Sequence, residues 1–180
     1  MKKIMRTMLS LSFICFTLTG CLKSGMEELT NSSDKVLSSI DYTYRFLYTD
    51  TIQKGTDKQE IQEGRMCEVI FKKNTEKITE GGLDGFKTTI SYDINSVLKA
   101  GPTGSVTKGM LYKEFEKLIK TDQLNKLWVY MTISDVATIT GVKDAPKLGS
   151  AGNFSTDHIY RVKAADGSVK DYLIKTVKGF

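Results

Sequence analysis

Strict two-residue alternation over residues 40–49 constrains the fold of this chain more than any other part of the sequence. Apolar side chains alternate there with mostly polar ones: Ile40, Tyr42, Tyr44, Phe46 and Tyr48 against Asp41, Thr43, Arg45, Leu47 and Thr49. Successive side chains of a β-strand point to opposite faces, so this pattern predicts a strand with one buried face. We therefore expect a core built on a β-sheet.

Clusters of turn residues divide the following sequence into further short strands. A polar loop over residues 51–64 is predicted to follow the alternating segment. The predicted strands after it cover residues 66–73, 86–97, 127–134 and 136–140. They are short, lie between turns, and do not alternate with helices as a parallel sheet would require.

The final segment of the chain, residues 159–177, predicts a β-hairpin. Two strand-like segments, 159–164 and 169–177, flank the sequence Ala165-Asp166-Gly167-Ser168. Asp-Gly tolerates the positive φ that tight hairpin turns require, so the two segments are expected to pair.

One segment, residues 108–122, has a helical pattern instead. Its apolar residues recur at a spacing near 3.6 and lysines and glutamates lie largely opposite, with Thr107 as the predicted N-cap. The apolar set comprises Met110, Leu111, Phe115, Leu118 and Ile119. Together these elements predict a mainly β protein: an antiparallel immunoglobulin-like β-sandwich with one inserted α-helix at about 108–122.

The carboxyl-terminal third resembles a known family. The elements that carry the resemblance are Ala137-Thr138-Ile139, Ala145 to Gly149, Asn153-Phe154-Ser155, Tyr160, Val162, Ala164, Asp166-Gly167, Tyr172 and Ile174. They resemble the closing strands of immunoglobulin-like or cadherin-like sandwich domains in an uncharacterised Bacteroidetes-type lipoprotein family, a domain of unknown function. The resemblance is close over residues 127–177 and general over 36–126. It implies an exported, membrane-anchored sandwich with no known enzymatic role, and it supplies no catalytic residues.

The first twenty residues have the pattern of a bacterial lipoprotein signal peptide. A basic start precedes an apolar run over residues 8–18, which is shorter than the about 20 residues needed to span a bilayer. The run ends in Leu18-Thr19-Gly20-Cys21, which matches the lipobox at all four positions. We therefore predict a signal peptide over 1–20, a lipid on Cys21, a flexible tether over 21–35 and the folded domain over 36–180.

Lipid on Cys21 predicts a location and limits the partners. Acyl chains would hold the protein at a membrane, and Leu22 is not the aspartate that retains lipoproteins at the inner membrane. We expect the outer membrane, facing either the periplasm or the cell surface. Three basic residues leave with the signal peptide, so the formal net charge of +5 falls to about +2, which argues against a nucleic-acid partner.

Two sets of aromatic residues are candidates for ligand contact. They are Tyr42, Tyr44 and Tyr48 in the alternating segment, and Trp128 with Tyr130 in a later strand. Flat rings stack on sugars and are also common in protein interfaces. Aromatic residues that alternate in a sheet also fill cores, so their exposure to solvent discriminates between the two interpretations.

The remaining chemically active residues predict neither catalysis nor a metal site. Cys67 lies in an apolar run and is expected to be a buried hydrophobe, and His158 is the only histidine. The acidic residues of the loop, Asp57, Glu60 and Glu63, lack the spacing of a calcium loop, and no nucleophile or phosphate-binding motif occurs.

These observations predict a non-enzymatic protein without cofactor or metal. We expect a lipid-anchored binding module for a glycan or protein partner. The alternative is a structural accessory subunit of an envelope or surface complex, with no ligand of its own.

Overall fold

The alternating segment forms the longest strand in the computed structural model, which describes residues 32–99 and 101–180. This strand, β1, spans Leu37–Ile52. Its inward face carries Ile40, Tyr42 and Tyr44, each at most 3% exposed. The predicted signal peptide, Cys21 and the predicted tether up to residue 31 lie outside the described residues.

The described residues form ten strands in two five-stranded sheets. Sheet I has the order β5-β2-β1-β6-β8, with every pair antiparallel, and sheet II has the order β3-β4-β10-β9-β7. The strands of sheet I other than β1 are β2 Glu60–Ile70, β5 Val97–Lys99, β6 Leu127–Ile133 and β8 Ala151–Gly152. Those of sheet II are β3 Lys72–Glu80, β4 Leu83–Ser91, β7 Thr138–Val142, β9 His158–Lys163 and β10 Val169–Lys178.

The two sheets bury a shared core, which makes the protein the β-sandwich that the sequence predicts. Tyr42 of β1 reaches across to sheet II, where its hydroxyl accepts a hydrogen bond from Thr176 Oγ1 (3.1 Å). Core residues of both sheets, such as Val69 on β2 and Ile174 on β10, are at most 1% exposed. Burial of apolar surface from two facing sheets is the main source of stability in such a fold.

Strand pairing in sheet II departs from the all-antiparallel prediction at one place. β10 pairs with β9 as the predicted hairpin, but its other neighbour, β4, runs parallel to it, with Tyr172 opposite Asp84. A parallel pair needs a long connection, and the chain between β4 and β10 supplies one that includes the helix and several strands. Gly167 adopts a φ of +88° in the hairpin turn, as Asp-Gly predicts.

β3 is a strand that the sequence analysis does not separate from β2. The predicted strand over 66–73 in fact ends at Ile70, where the buried Phe71 carries the chain from sheet I to sheet II. β3 then pairs with β4 through the Gly81-Gly82 turn. It is an edge strand with almost every residue exposed, so it has no apolar alternation to reveal it. The predicted 51–64 loop is shorter, because β2 begins at Glu60.

The predicted helix, α1, spans Lys108–Asp122, and Thr107 is its N-cap. The Thr107 hydroxyl accepts a hydrogen bond from the Met110 N–H (3.2 Å). Phe115 is fully buried and packs its ring 5.4 Å from that of Tyr44, so the helix covers part of the inward face of sheet I. Within the described residues, no helix combines the length and apolarity needed to cross a membrane.

Candidate functional site

The surface of sheet I that points away from sheet II carries a group of exposed apolar side chains. We call this surface the outer face, formed by Leu47, Met66, Ile70, Leu98, Trp128 and Tyr130 around the ion pair of Arg45 and Glu68. Strand register brings these residues together, because Leu47 lies opposite Met66, Glu68 opposite Leu98, and Thr43 opposite both Ile70 and Trp128.

Exposure of the aliphatic members is high for a sheet surface. Leu47 is 66% exposed, Met66 50% and Leu98 47%. Large contiguous apolar patches are uncommon on monomeric proteins and mark surfaces that meet another molecule. This face is therefore the strongest candidate for an interaction site in the described part of the chain.

Arg45 and Glu68 form an oriented ion pair at the centre of the outer face. Arg45 Nε and Nη2 lie 2.8 and 2.7 Å from Glu68 Oε1. The guanidinium also lies over two rings, with its Cζ 4.6 Å from the centre of Trp128 and 5.8 Å from that of Tyr130. These contacts fix the side chain in place, so little rotamer freedom is left for a partner to remove on binding.

Tyr42 and Tyr44 are not part of this surface. Both point into the sandwich, and the Tyr44 hydroxyl donates a hydrogen bond to Asp122 of α1 (2.5 Å). Burial raises the pKa of both phenols, and at Tyr44 the bond to the Asp122 carboxylate raises the pKa further. Sheet II and α1 cover the face of β1 on which Tyr42 and Tyr44 lie. The prediction that these two residues contact a ligand is therefore wrong.

The other aromatic candidates differ in position. Tyr48 is half-buried, on the inward side of β1, beside Arg65 (5.4 Å from the Arg65 Cζ to its ring centre). Trp128 is half-buried and Tyr130 is 39% exposed, and both lie on the outer face. Sequence reasoning missed Leu47, Met66, Leu98 and Arg45. The sequence contained one indication of an apolar outer face, namely Leu47 at a polar position of the alternating segment.

The two potentially reactive residues lie in the core. Cys67 is fully buried, which confirms its prediction as a small hydrophobe, and burial raises the pKa of its thiol to about 11. His158 is 5% exposed, and its Nε2–H donates to the carbonyl oxygen of Asn153 (2.8 Å). Over residues 32–99 and 101–180, no three His, Cys, Asp or Glu side chains are grouped to hold a metal ion.

A second polar cluster, centred on Asp50, is structural. Its carboxylate lies 2.7 Å from Arg65 Nη1 and 2.8 Å from Lys99 Nζ, and it accepts the backbone N–H of Thr51 and Val106 (both 2.9 Å). Burial alone would raise the pKa of Asp50, but the hydrogen bonds from Lys99 and Val106 outweigh it and hold the pKa at about 2. These contacts join β1, β2 and β5. Both carboxylate oxygens of Asp50 are engaged, so the carboxylate is not free to act as a base or a ligand.

Comparison with known proteins supports the fold and the family resemblance in part. Residues 107–175 match the model of a family described as DUF5018-related, so the match includes α1. The crystal structure of a candidate secreted protein from Bacteroides fragilis is similar, with a TM-score of 0.51 and 21% sequence identity. The similarity covers 82% of this chain and 97% of that one. No curated protein matches the chain significantly.

At 21% identity, the similarity to the Bacteroides structure shows the fold alone. With the family match, it supports the resemblance of the carboxyl-terminal part to an uncharacterised Bacteroidetes-type domain of unknown function.

Proposed function

We propose that this chain is a lipid-anchored protein of the bacterial cell envelope that binds a protein partner through the outer face of sheet I. The anchor is a lipid on Cys21 after removal of residues 1–20, and the expected location is the outer membrane. The lipobox Leu18-Thr19-Gly20-Cys21 supports the anchor, and the exposed apolar outer face supports the binding role.

The composition of the outer face favours a protein over a glycan. Protein interfaces are enriched in aromatic residues, Met and Arg, and this face contains Trp128, Tyr130, Met66 and Arg45. Its other members are aliphatic, whereas sugars stack on exposed aromatic rings. The Arg45 guanidinium also covers one side of the Trp128 ring, which reduces the ring surface available for stacking.

A glycan is the second candidate ligand, and Tyr130 is the observation that favours it. Its ring is 39% exposed, beside the half-buried Trp128. An accessory subunit with no ligand of its own is expected to have a polar surface, so the exposed face makes that alternative weaker.

Site-specific photocrosslinking in the native host tests the binding role. A photoreactive amino acid at position 47 lies on the outer face, whereas one at position 87 lies on the opposite surface of the sandwich, on β4. We expect a discrete protein adduct from position 47 that is lost in the Trp128→Ala background and absent from position 87. Equal adducts from both positions would contradict the proposal. A glycan ligand would give no protein adduct from position 47 but Trp128-dependent retention on an immobilised glycan.

The anchor is tested separately with two cysteine substitutions. Metabolic labelling with an alkyne fatty acid is expected to label the wild type and Cys15→Ser, because Cys15 leaves with the signal peptide. Cys21→Ser is expected to lose the label. Mass spectrometry that finds an intact amino terminus and an unmodified Cys21 thiol would contradict the anchor. Labelling of intact and lysed cells with an impermeant reagent then tests outer-membrane residence and orientation.

A further inference from the structure

A cavity of about 390 Å³ opens between the sheets at the end of the sandwich where β1, β4 and β10 begin. It is separate from the outer face. Its lining comes from four strands: the start of β1 with the preceding Val36, the end of β3, and the starts of β4 and β10. The volume falls within the range of small-molecule sites, about 300–1,000 Å³.

The apolar part of the cavity consists of Leu37, Phe86, Tyr172 and Val36. The Phe86 and Tyr172 rings are stacked, with 6.4 Å between their centres and 25° between their planes. The Tyr172 hydroxyl donates to the backbone carbonyl of Lys35 (2.9 Å), which holds the ring beneath the start of β1. These two contacts hold the wall in place, and the exposed Val36 side chain lies at its rim.

The polar part of the cavity is built on Asp84, Lys170, Thr79 and Lys77. Lys170 Nζ lies 2.7 Å from Asp84 Oδ2, and the Thr79 hydroxyl donates to Asp84 Oδ1 (3.1 Å). These two hydrogen bonds from Lys170 and Thr79 lower the pKa of Asp84, which keeps it ionised, and the ion pair neutralises both charges. Lys170 also lies over the Tyr172 ring, with 5.0 Å from its Nζ to the ring centre.

Lys77 is the one charged side chain of the cavity lining that is outside the Asp84–Lys170 ion pair. It lies opposite Phe86 in the β3–β4 pair, so its side chain is on the face of sheet II that lines the cavity. Within the described part of the chain, no hydrogen bond or ion pair engages its ammonium group. With Asp84 and Lys170 paired, the cavity carries one net positive charge beside an apolar wall.

We propose that this cavity binds a small organic anion, with its acidic group on Lys77 and its apolar or ring-shaped body against Leu37 and Phe86. An aliphatic carboxylate and an acidic sugar share this chemistry. Each places one negative charge next to a surface that can rest on hydrocarbon. A neutral molecule of the same shape would leave the Lys77 charge unmatched.

The test uses two anions with their neutral counterparts, octanoate with octanamide and glucuronate with glucose. Each is titrated into the full-length protein and followed by backbone amide NMR shifts. For at least one anion, we expect the shift changes to reach saturation with a Kd of about 1 mM or tighter. The shifts should be confined to residues 77–79, 84–86 and 170–172, and the neutral counterpart should bind at least tenfold more weakly. Octanoate alone would identify an aliphatic ligand, and glucuronate alone an acidic sugar.

Matched variants locate the charge. Lys77→Gln is expected to weaken the anion at least tenfold. Lys87→Gln, on the next strand but on the opposite face of sheet II, should leave the affinity unchanged. Val36→Glu adds a negative charge to the lining, which should repel the anion and abolish binding. The fold should be kept, because Val36 is 52% exposed. The proposal is overturned if neither anion saturates, if shifts fall elsewhere, if neutral counterparts bind equally, or if Lys87→Gln weakens binding as much as Lys77→Gln.

Discussion

The guanidinium of Arg45 lies over the ring of Trp128, with 4.6 Å from its Cζ to the ring centre, although β1 and β6 contribute these residues from distant parts of the chain. On the other side Arg45 is held by Glu68 of β2. Three strands thus combine to hold one cation in a fixed orientation on an otherwise apolar surface. Such an arrangement is typical of the residues that carry most of the energy in a protein interface.

Truncation on the outer face is therefore expected to reduce partner binding. Leu98→Ala should lower the crosslinking yield from position 47, because Leu98 is 47% exposed beside Glu68. Val169→Ala removes an apolar side chain of similar exposure (50%) from β10 of sheet II and should leave the yield unchanged. Trp128→Ala should have the larger effect, about 2 kcal/mol or more, equivalent to roughly a thirtyfold loss of affinity. Equal effects of Leu98→Ala and Val169→Ala would refute this assignment.

Acid is expected to destabilise the protein through Asp50. Its pKa in the folded protein, about 2, lies below the ordinary aspartate value of 3.8. A lowered pKa means that the ionised form stabilises the fold above pH 3.8, and that this contribution is lost as the pH falls from about 4 to 2. Thermal unfolding measured across this window should show the loss in the wild type.

The Asp50→Asn variant isolates this contribution. It should unfold at a lower temperature at pH 7, because Lys99 and Arg65 lose their shared carboxylate, and the gap to the wild type should narrow as the pH approaches 2. Asp171→Asn, which breaks the more exposed pair with Arg161, is the control and should have a smaller effect. A gap between wild type and Asp50→Asn that stays constant with pH would contradict the role of Asp50.

Two glycine substitutions are expected to have opposite effects. A Cβ on Gly85 would lie 2.0 Å from the backbone oxygen of Leu173, at the parallel contact of β4 with β10. Gly85→Ala should therefore destabilise the fold by about 1–3 kcal/mol. Gly109→Ala lies in α1 with nothing closer than 3.9 Å and should stabilise it by up to about 1 kcal/mol. Urea unfolding of both variants measures the difference, and an unaffected Gly85→Ala would show that this contact is not tight.

The Cys67 thiol is expected to resist modification in the folded protein. Burial raises its pKa to about 11, so both access and the thiolate fraction are low at pH 8. The rate of labelling by a thiol reagent should then follow global unfolding and rise in proportion to the unfolded population in urea. Rapid labelling in buffer, with no dependence on urea, would contradict the buried position. The measurement uses the Cys15→Ser/Cys21→Ser double variant, so that Cys67 is the one cysteine left in the chain.

The local pattern of the sequence by itself determined three elements of this protein: β1, the helix α1 with its Thr107 cap, and the β9–β10 hairpin. Each depends on interactions between residues close in sequence, namely side-chain periodicity, one capping hydroxyl and the φ of one glycine. The edge strand β3 was missed, since a strand exposed on both faces has no apolar alternation.

Only the tertiary structure decided the parallel pairing of β10 with β4, the separation of the aromatic residues and the composition of the outer face. Tyr42 and Tyr130 have similar local sequence patterns, yet one fills the core and the other meets solvent. That outcome depends on which face of each strand the second sheet covers. Leu47, Met66 and Leu98 become one surface only when β1, β2 and β5 pair in a particular register. Such pairing is set by contacts between distant segments, which no short stretch of sequence contains.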